Sequence, residues 1–97
     1  MHVIDEEANQ TILEAAIEKS IPVSFQYWKP AAATIIDAPP RRLVSPYELR
    51  EGKDGAMLLV CWSHGSEAIR AFKLPLIGGL RSEAENEEFI HPVEAHA

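Results

Sequence analysis

Residues 42–74 read RLVSPYELREGKDGAMLLVCWSHGSEAIRAFKL and contain three runs of strand-forming residues joined by two polar turns. The runs, 42–50, 57–62 and 68–74, are rich in β-branched, aromatic and large aliphatic residues, which favour strands. The segments between them, 51–55 and 63–66, contain glycine, which adopts a positive φ at little steric cost. The stretch therefore predicts two consecutive antiparallel hairpins.

The pattern within each run predicts how the strands are buried. Residues 42–50 are expected to alternate between two faces, with Leu43, Ser45, Tyr47 and Leu49 on one and Val44, Pro46 and Glu48 on the other. Pro46, which has no N–H to donate, predicts an edge strand or a bent one. Residues 57–62 are apolar on both faces, so this run is predicted to be the most buried strand.

A helix is predicted ahead of the strands. Over residues 6–19, Leu13, Ala16 and Ile17 fall on one stripe, with most of the glutamates elsewhere, which is typical of an amphipathic helix. Asp5 is the favoured N-cap, because a start at Thr11 would leave only a short and weak helix.

Pro22 prevents the helix from continuing, and a first strand is predicted directly after it. Val23, Phe25 and Tyr27 alternate with more polar neighbours, which is the period of a half-buried strand. Residues 34–36 are a candidate for a short additional strand, which the two prolines at 39–40 must interrupt.

The C-terminal part of the sequence is less regular. The glycine pair at 78–79 is expected to break the chain, with 80–82 returning as a last short strand. Residues 83–88 are mostly acidic, so 83–97 are expected to form a solvated arm, with Phe89 and Ile90 docked back.

These elements predict a mainly β domain with one N-terminal helix. The chain of 97 residues suits a single domain, with the helix at about 6–19, a small, curved antiparallel barrel at about 22–82 and the arm at 83–97. A ferredoxin-like alternative would need a second long helix, and no other segment has a long helical stripe.

The formal net charge of −6 argues against a generically basic nucleic-acid binder. The charges are, however, unevenly distributed, since eight of the nine Lys and Arg residues but only five of the 15 Asp and Glu residues lie between residues 20 and 82. The acidic excess belongs to the two ends of the chain, and a local anion pocket in the middle is compatible with it.

Several functional classes are disfavoured. The single cysteine, Cys61, cannot form an intramolecular disulfide, and one Cys with scattered His residues does not match a structural zinc site. Cys61 and His64 are three residues apart, but their bulky neighbours indicate a buried thiol rather than a nucleophile. We therefore expect no enzyme, no metal and no cofactor. No membrane-spanning run or secretory signal is visible, so a cytoplasmic location is expected.

The order of several short motifs resembles the WYL domain family. The matching pieces are AI at 16–17, VSFQY at 23–27, RLVSP at 42–46, MLLV at 57–60, IRAFKL at 69–74 and Ile77. The resemblance implies an SH3-type, Sm-like barrel of the kind that accompanies DNA-binding modules in bacterial transcription regulators, here standing alone, and a sensor of nucleic acid or nucleotide-type ligands.

Two positions depart from the family pattern. Met57-Leu58-Leu59 replaces the Trp-Tyr-Leu that names the family, which removes an aromatic face and a phenolic hydroxyl. Leu76 occupies a position before Ile77 where the family often carries arginine. Ligand binding at these two positions is therefore in doubt.

The candidate ligand-binding residues are basic or aromatic: Arg70, Arg42, Arg41, Lys73, Tyr27 and Phe72. Arg70 and Arg42 match their motif positions, and guanidinium groups bind phosphate bidentately. Lys73 is expected on the opposite strand face from Arg70. The alternative for Arg70 is pairing with a carboxylate, and for the aromatic residues, including Trp28 and Trp62, packing in the core or at its rim.

The sequence thus predicts a regulatory, non-enzymatic domain that recognises a nucleotide or a short single-stranded nucleic acid. The alternative is a protein-interaction or oligomerisation barrel that has lost ligand recognition. The expected partners are such a ligand, and further a separate DNA-binding regulator or a second copy of the chain.

Overall fold

The computed structural model describes residues 4–29 and 39–92, which form one helix and five strands. In chain order the elements are α1 (Glu6–Lys19), β1 (Val23–Tyr27), β2 (Arg41–Glu51), β3 (Met57–Ser63), β4 (Ala68–Lys73), a 3₁₀ turn (Leu74–Leu76) and β5 (Ile77–Ser82). The candidate strand at 34–36 lies outside the described residues. The sheet is antiparallel with the order β4-β3-β2-β1-β5, so the mainly β class with one N-terminal helix is confirmed.

Helix α1 begins and ends at the residues that the sequence predicts. The Asp5 side chain accepts a hydrogen bond from the Ala8 N–H at 3.0 Å, which satisfies one of the free N–H groups of the first turn. At the other end, Ser20 adopts a left-handed conformation with φ of 55° and stops the helix. Leu13 and Ala16 are buried against the sheet.

The prediction of an edge position for the Pro46 strand is wrong. Strand β2 lies in the centre of the sheet and pairs with both β1 and β3. Pro46 is tolerated there because the register shifts between Pro46 and Glu48, and such a bulge disrupts the ladder locally. The strand is therefore bent rather than peripheral.

Strand β3 is not buried on both faces. Leu59, Cys61 and Ser63 are buried, whereas the residues between them are only partly covered, because the hydrophobic core lies on one face of the sheet. The pair Gly78-Gly79 does not break the chain either, since both residues lie inside β5; Gly78 pairs with Gln26 of β1, and Gly79, with φ of 59°, lies where the register of the two strands shifts. Glycine is needed there because Trp28 packs directly on Gly78.

The sheet curls until its two sides meet. β1 and β4 are three strand positions apart, which is about 14 Å in a flat sheet, yet the ring centres of Phe25 and Phe72 are 5.2 Å apart. The Tyr27 hydroxyl also accepts a hydrogen bond from the Lys73 N–H at 3.0 Å. The space enclosed by this curl is the hydrophobic core, which includes Leu59.

Phe89 and Ile90, which follow the acidic run in the arm, pack back on the sheet. Ile90 donates its N–H to Ser45 Oγ at 2.9 Å and accepts the Tyr47 hydroxyl at 2.5 Å. Phe89 contacts the edge of the Tyr47 ring, with 6.0 Å between ring centres. Residues 89–90 therefore dock on the middle of β2.

Candidate ligand-binding site

Arg42 lies on the core face of the sheet, at its open end. It pairs with Phe25 in the β1–β2 register, so its side chain emerges on the same face as that ring. The guanidinium carbon is 5.4 Å from the ring centre of Phe72 and 5.9 Å from that of Tyr27. These distances are within cation–π range, and the two rings, which meet edge to face at 4.9 Å, hold the charge in place.

Arg42 and Arg70 have no carboxylate partner in residues 4–29 and 39–92. The ion pairs found there join Arg50 to Glu48, Lys73 to Asp54 and Arg81 to Glu83. Pairing of Arg70 with a carboxylate, the alternative role predicted for it, is therefore not seen among the described residues. Both guanidinium groups can still donate hydrogen bonds to an anionic ligand.

Arg70 and Lys73 lie on opposite faces of β4. Arg70 pairs with Cys61, whose side chain faces the core, whereas Lys73 pairs with Leu58 on the other face. Lys73 Nζ binds Asp54 at 3.1 Å, and the pKa of Asp54 is lowered first by the Ala56 N–H and then by this lysine. The structure thus brings Arg70 to the face of Phe72 and Arg42, and separates Lys73 from them.

Arg41 serves mainly to tie three strands together. It points to the opposite face from Arg42 and donates to both Oγ and the carbonyl of Ser24, each at 3.2 Å, and to the carbonyl of Gly79. Partial burial and then the nearby Arg81 lower the pKa of its guanidinium. With these donors occupied, Arg41 contributes local positive charge more than free hydrogen bonds.

A groove lies where β2 begins and the β3–β4 turn crosses it. Its volume is about 590 Å³, and it is lined by Pro40, Arg41, Arg42, Leu43, Ser63, His64, Gly65 and Ser66. We call it the basic groove. It combines guanidinium groups, hydroxyls and an exposed glycine backbone, the donors that bind phosphate oxygens. Ser63 and Ser66 are not among the candidate residues predicted from the sequence, because only the pairing of β3 with β2 brings residues 63–66 beside Arg42.

A second groove lies on the other side of His64. It has a volume of about 560 Å³ and is lined by Trp62, His64, Glu67, Glu88 and Ile90. We call it the indole groove. His64 is fixed between the two grooves, since its backbone N–H donates to the Leu43 carbonyl at 3.0 Å and its ring Nε2 lies 2.7 Å from Ser45 Oγ.

The position of His64 predicts acid sensitivity of the fold. Desolvation lowers the pKa of His64 below its usual 6.5, and Glu87 opposes this only in part. The unfolded chain therefore binds a proton at His64 more readily than the folded chain. The contribution of neutral His64 to stability is fully present above about pH 6.5 and is lost as the pH drops through the folded-state pKa. Urea denaturation of the wild type should show a lower midpoint at pH 5.5 than at pH 7.5.

His64→Gln is the matched variant, because an amide can retain a hydrogen bond to Ser45 but does not titrate in this range. Its urea midpoint should change less than that of the wild type between the two pH values. Equal changes in both proteins would show that another group causes the pH dependence.

Cys61 lacks the environment of a reactive thiol. It is fully buried, and burial raises its pKa to about 12. His64 Nε2 contacts Ser45 and not the sulfur, whose neighbour is the Arg70 carbonyl at 3.6 Å. Within the described residues, no three His, Cys, Asp or Glu side chains are grouped to hold a metal ion. The one helix of this part of the chain is too short and too polar to cross a bilayer.

The geometry defines a class of protein: a small, curled β domain with one helix and an arginine held over an aromatic pair at its open end. A family model for the WYL domain matches residues 8–82. The chain therefore belongs to the WYL domain family. In this structure Met57 and Leu58, at the positions of the family's Trp and Tyr, are both partly covered by neighbouring residues.

A solved structure and the curated proteins complete the comparison. The chain is similar to proteasome accessory factor B/C (PafBC) of Arthrobacter aurescens, with a TM-score of 0.73 and 15% sequence identity. The likeness covers 95% of this chain but only 13% of that protein, so it concerns one part of a much longer chain. No curated protein matches.

Proposed function

We propose that this chain is a regulatory ligand-binding domain that recognises a nucleotide or a short single-stranded nucleic acid at Arg42 and the basic groove. The observation that supports it most is the position of Arg42. Its guanidinium is held over Tyr27 and Phe72, has no carboxylate partner in the described residues, and borders a groove with two serine hydroxyls.

An anion is the ligand that this arrangement favours. A guanidinium without a carboxylate partner near hydroxyl groups attracts phosphate, and the bond is charge-assisted. Arg70 adds a second positive charge on the same sheet face, at an exposed position. The excess of basic residues between residues 20 and 82 thus includes two arginines, Arg42 and Arg70, on one face of the sheet, where they can attract an anion.

The same arrangement favours a phosphate that is attached to a base or a sugar. Tyr27 is only partly buried and lies beside Arg42, so its ring is a candidate surface for apolar or stacking contact. Phe72 is 5% exposed and supports Tyr27 from below rather than meeting a ligand.

Binding of a labelled single-stranded oligonucleotide, followed by fluorescence anisotropy at low and physiological salt, tests the proposal. We expect binding by the wild type at low salt and an affinity about ten-fold lower for Arg42→Ala, because a charge-assisted contact is lost. The slope of log K against log salt should also become shallower, by roughly 0.7 for one lost phosphate contact.

Arg50→Ala is the matched control. It removes the same charge from the other end of β2, where Arg50 binds Glu48 at 2.9 Å, and it should retain the wild-type affinity. No binding by the wild type at low salt would overturn the proposal. Equal losses of affinity in both variants would show that the effect of Arg42→Ala comes from the change of net charge and not from a contact with the ligand.

The alternative function, an interaction or oligomerisation domain, has one observation in its favour. Ile69 is 40% exposed on β4, an end strand of the sheet order, and Ile12 is 41% exposed on α1. Exposed apolar side chains at a sheet edge favour association with a second chain. Light scattering distinguishes the two functions, because a monomer at every concentration would exclude self-association.

A further inference from the structure

We infer that the ligand carries guanine, with its phosphate in the basic groove and its base in the indole groove. This inference rests on the proposed function and specifies which nucleotide the site selects. It starts from the arrangement of the two grooves, which share His64 and differ in the chemistry of their walls.

The two grooves have opposite electrostatic character. The basic groove contains Arg41 and Arg42, whereas the indole groove contains the carboxylates of Glu67 and Glu88. A free phosphate would be repelled from the second groove, and an N–H donor would be attracted to it. One molecule that fits both must be anionic at one end and rich in N–H donors at the other.

The indole groove also has the walls that a flat ring requires. Trp62 and Ile90 are partly exposed there, and an indole face stacks on any base. His64 closes the side toward the basic groove and is fixed by its bonds to Leu43 and Ser45. The apolar contact favours a base in general, so selection between bases must come from the carboxylates.

Among the bases, guanine matches a carboxylate best. Its Watson–Crick edge presents two adjacent donors, the ring N1–H and the exocyclic amino group, which a carboxylate accepts as a bidentate pair. Adenine and cytosine offer one amino group beside an acceptor nitrogen, and uracil offers one N–H between two carbonyls, whose oxygens a carboxylate repels. Glu67 and Glu88 therefore favour guanine.

The arm contributes to this selectivity. Glu88 and Ile90 belong to the arm, and Ile90 is held on β2 by the hydrogen bonds to Ser45 and Tyr47. Glu67 belongs to the turn before β4, where its φ of 50° places it in the left-handed region. The groove thus forms only when the arm is docked, so residues outside the matched span 8–82 help to choose the base.

An NMR shift titration with the mononucleotides GMP, IMP, AMP and UMP tests the inference, since it measures weak binding. Wild-type protein should bind GMP about ten-fold more tightly than AMP or UMP. IMP lacks the exocyclic amino group and should lie between them. The Trp62 indole N–H resonance should shift on addition of GMP, and that of Trp28 serves as internal reference.

The double variant Glu67→Gln, Glu88→Gln should lose the preference for GMP while it retains the weaker affinity for AMP and UMP. Glu51→Gln, Glu85→Gln makes the same change of net charge outside the groove and should retain the preference. Equal affinity of the wild type for all four nucleotides would overturn the guanine assignment. A preference for GMP that survives in the Glu67 and Glu88 variant would overturn the placement of the base beside these two carboxylates. Both results would leave the proposed function intact. No binding of any mononucleotide would also overturn the guanine assignment, whereas the oligonucleotide titration decides separately whether the proposed function holds.

Discussion

Phe25→Ala is expected to lower the free energy of unfolding by about 3–5 kcal/mol, the usual cost of removing a buried phenyl ring. Phe25 is fully buried in β1, and its ring meets Phe72 edge to face at 5.2 Å, across the curl of the sheet. Its removal leaves a cavity between the two sides of the sheet. A domain of this size has about 5–15 kcal/mol of stability in all, so the variant should be largely destabilised.

Urea denaturation followed by tryptophan fluorescence measures this loss. In a separate thermal denaturation experiment, the melting temperature should fall by more than about 12 °C, since 1 kcal/mol corresponds to roughly 4–8 °C in a domain of 60–100 residues. Phe25→Leu retains most of the buried volume and should cost much less. A loss below about 1 kcal/mol for Phe25→Ala would show that β1 and β4 do not pack against each other as described.

The same ring shows how far local pattern predicts this fold. The alternation at Val23, Phe25 and Tyr27 was sufficient to predict β1 and its buried face, and the cap at Asp5 was sufficient to predict the start of α1. Both depend on neighbours within a few residues. The position of β2 depends on which strands are adjacent in space. Pro46 alone predicts either an edge strand or a bent one, and only the strand pairing shows that β2 is central, with a bulge beside Pro46.

The candidate site shows the same division. Strand periodicity correctly separates Arg70 from Lys73, because both lie in one regular strand. The contact of Arg42 with Phe72 joins residues 30 positions apart and requires the curl of the whole sheet. The indole groove is further from prediction, because Glu88 is exposed and lines a groove with Trp62 only through the docking of the neighbouring residues 89–90 on β2.

Gly78→Ala should destabilise the domain by about 1–3 kcal/mol, although it adds a single methyl group. A Cβ at this position would lie 2.8 Å from Nε1 and 3.1 Å from Cδ1 of Trp28, which is closer than van der Waals contact allows. Gly78 is buried within β5, and the backbone N–H of Trp28 donates to the Leu76 carbonyl at 2.8 Å, so the main chain of Trp28 is fixed next to Gly78. Overpacking of this kind forces side chains away from their preferred rotamers.

Gly65→Ala is the matched control for this effect. A Cβ there has no neighbour within 4 Å, so the substitution should leave stability within about 0.5 kcal/mol of the wild type. Chemical denaturation of both variants gives the comparison directly. If Gly78→Ala were as stable as Gly65→Ala, Trp28 would have to move without cost. The glycine pair that the sequence suggested as a chain break would then have no packing role in β5, and another reason would be needed for its place beside β1.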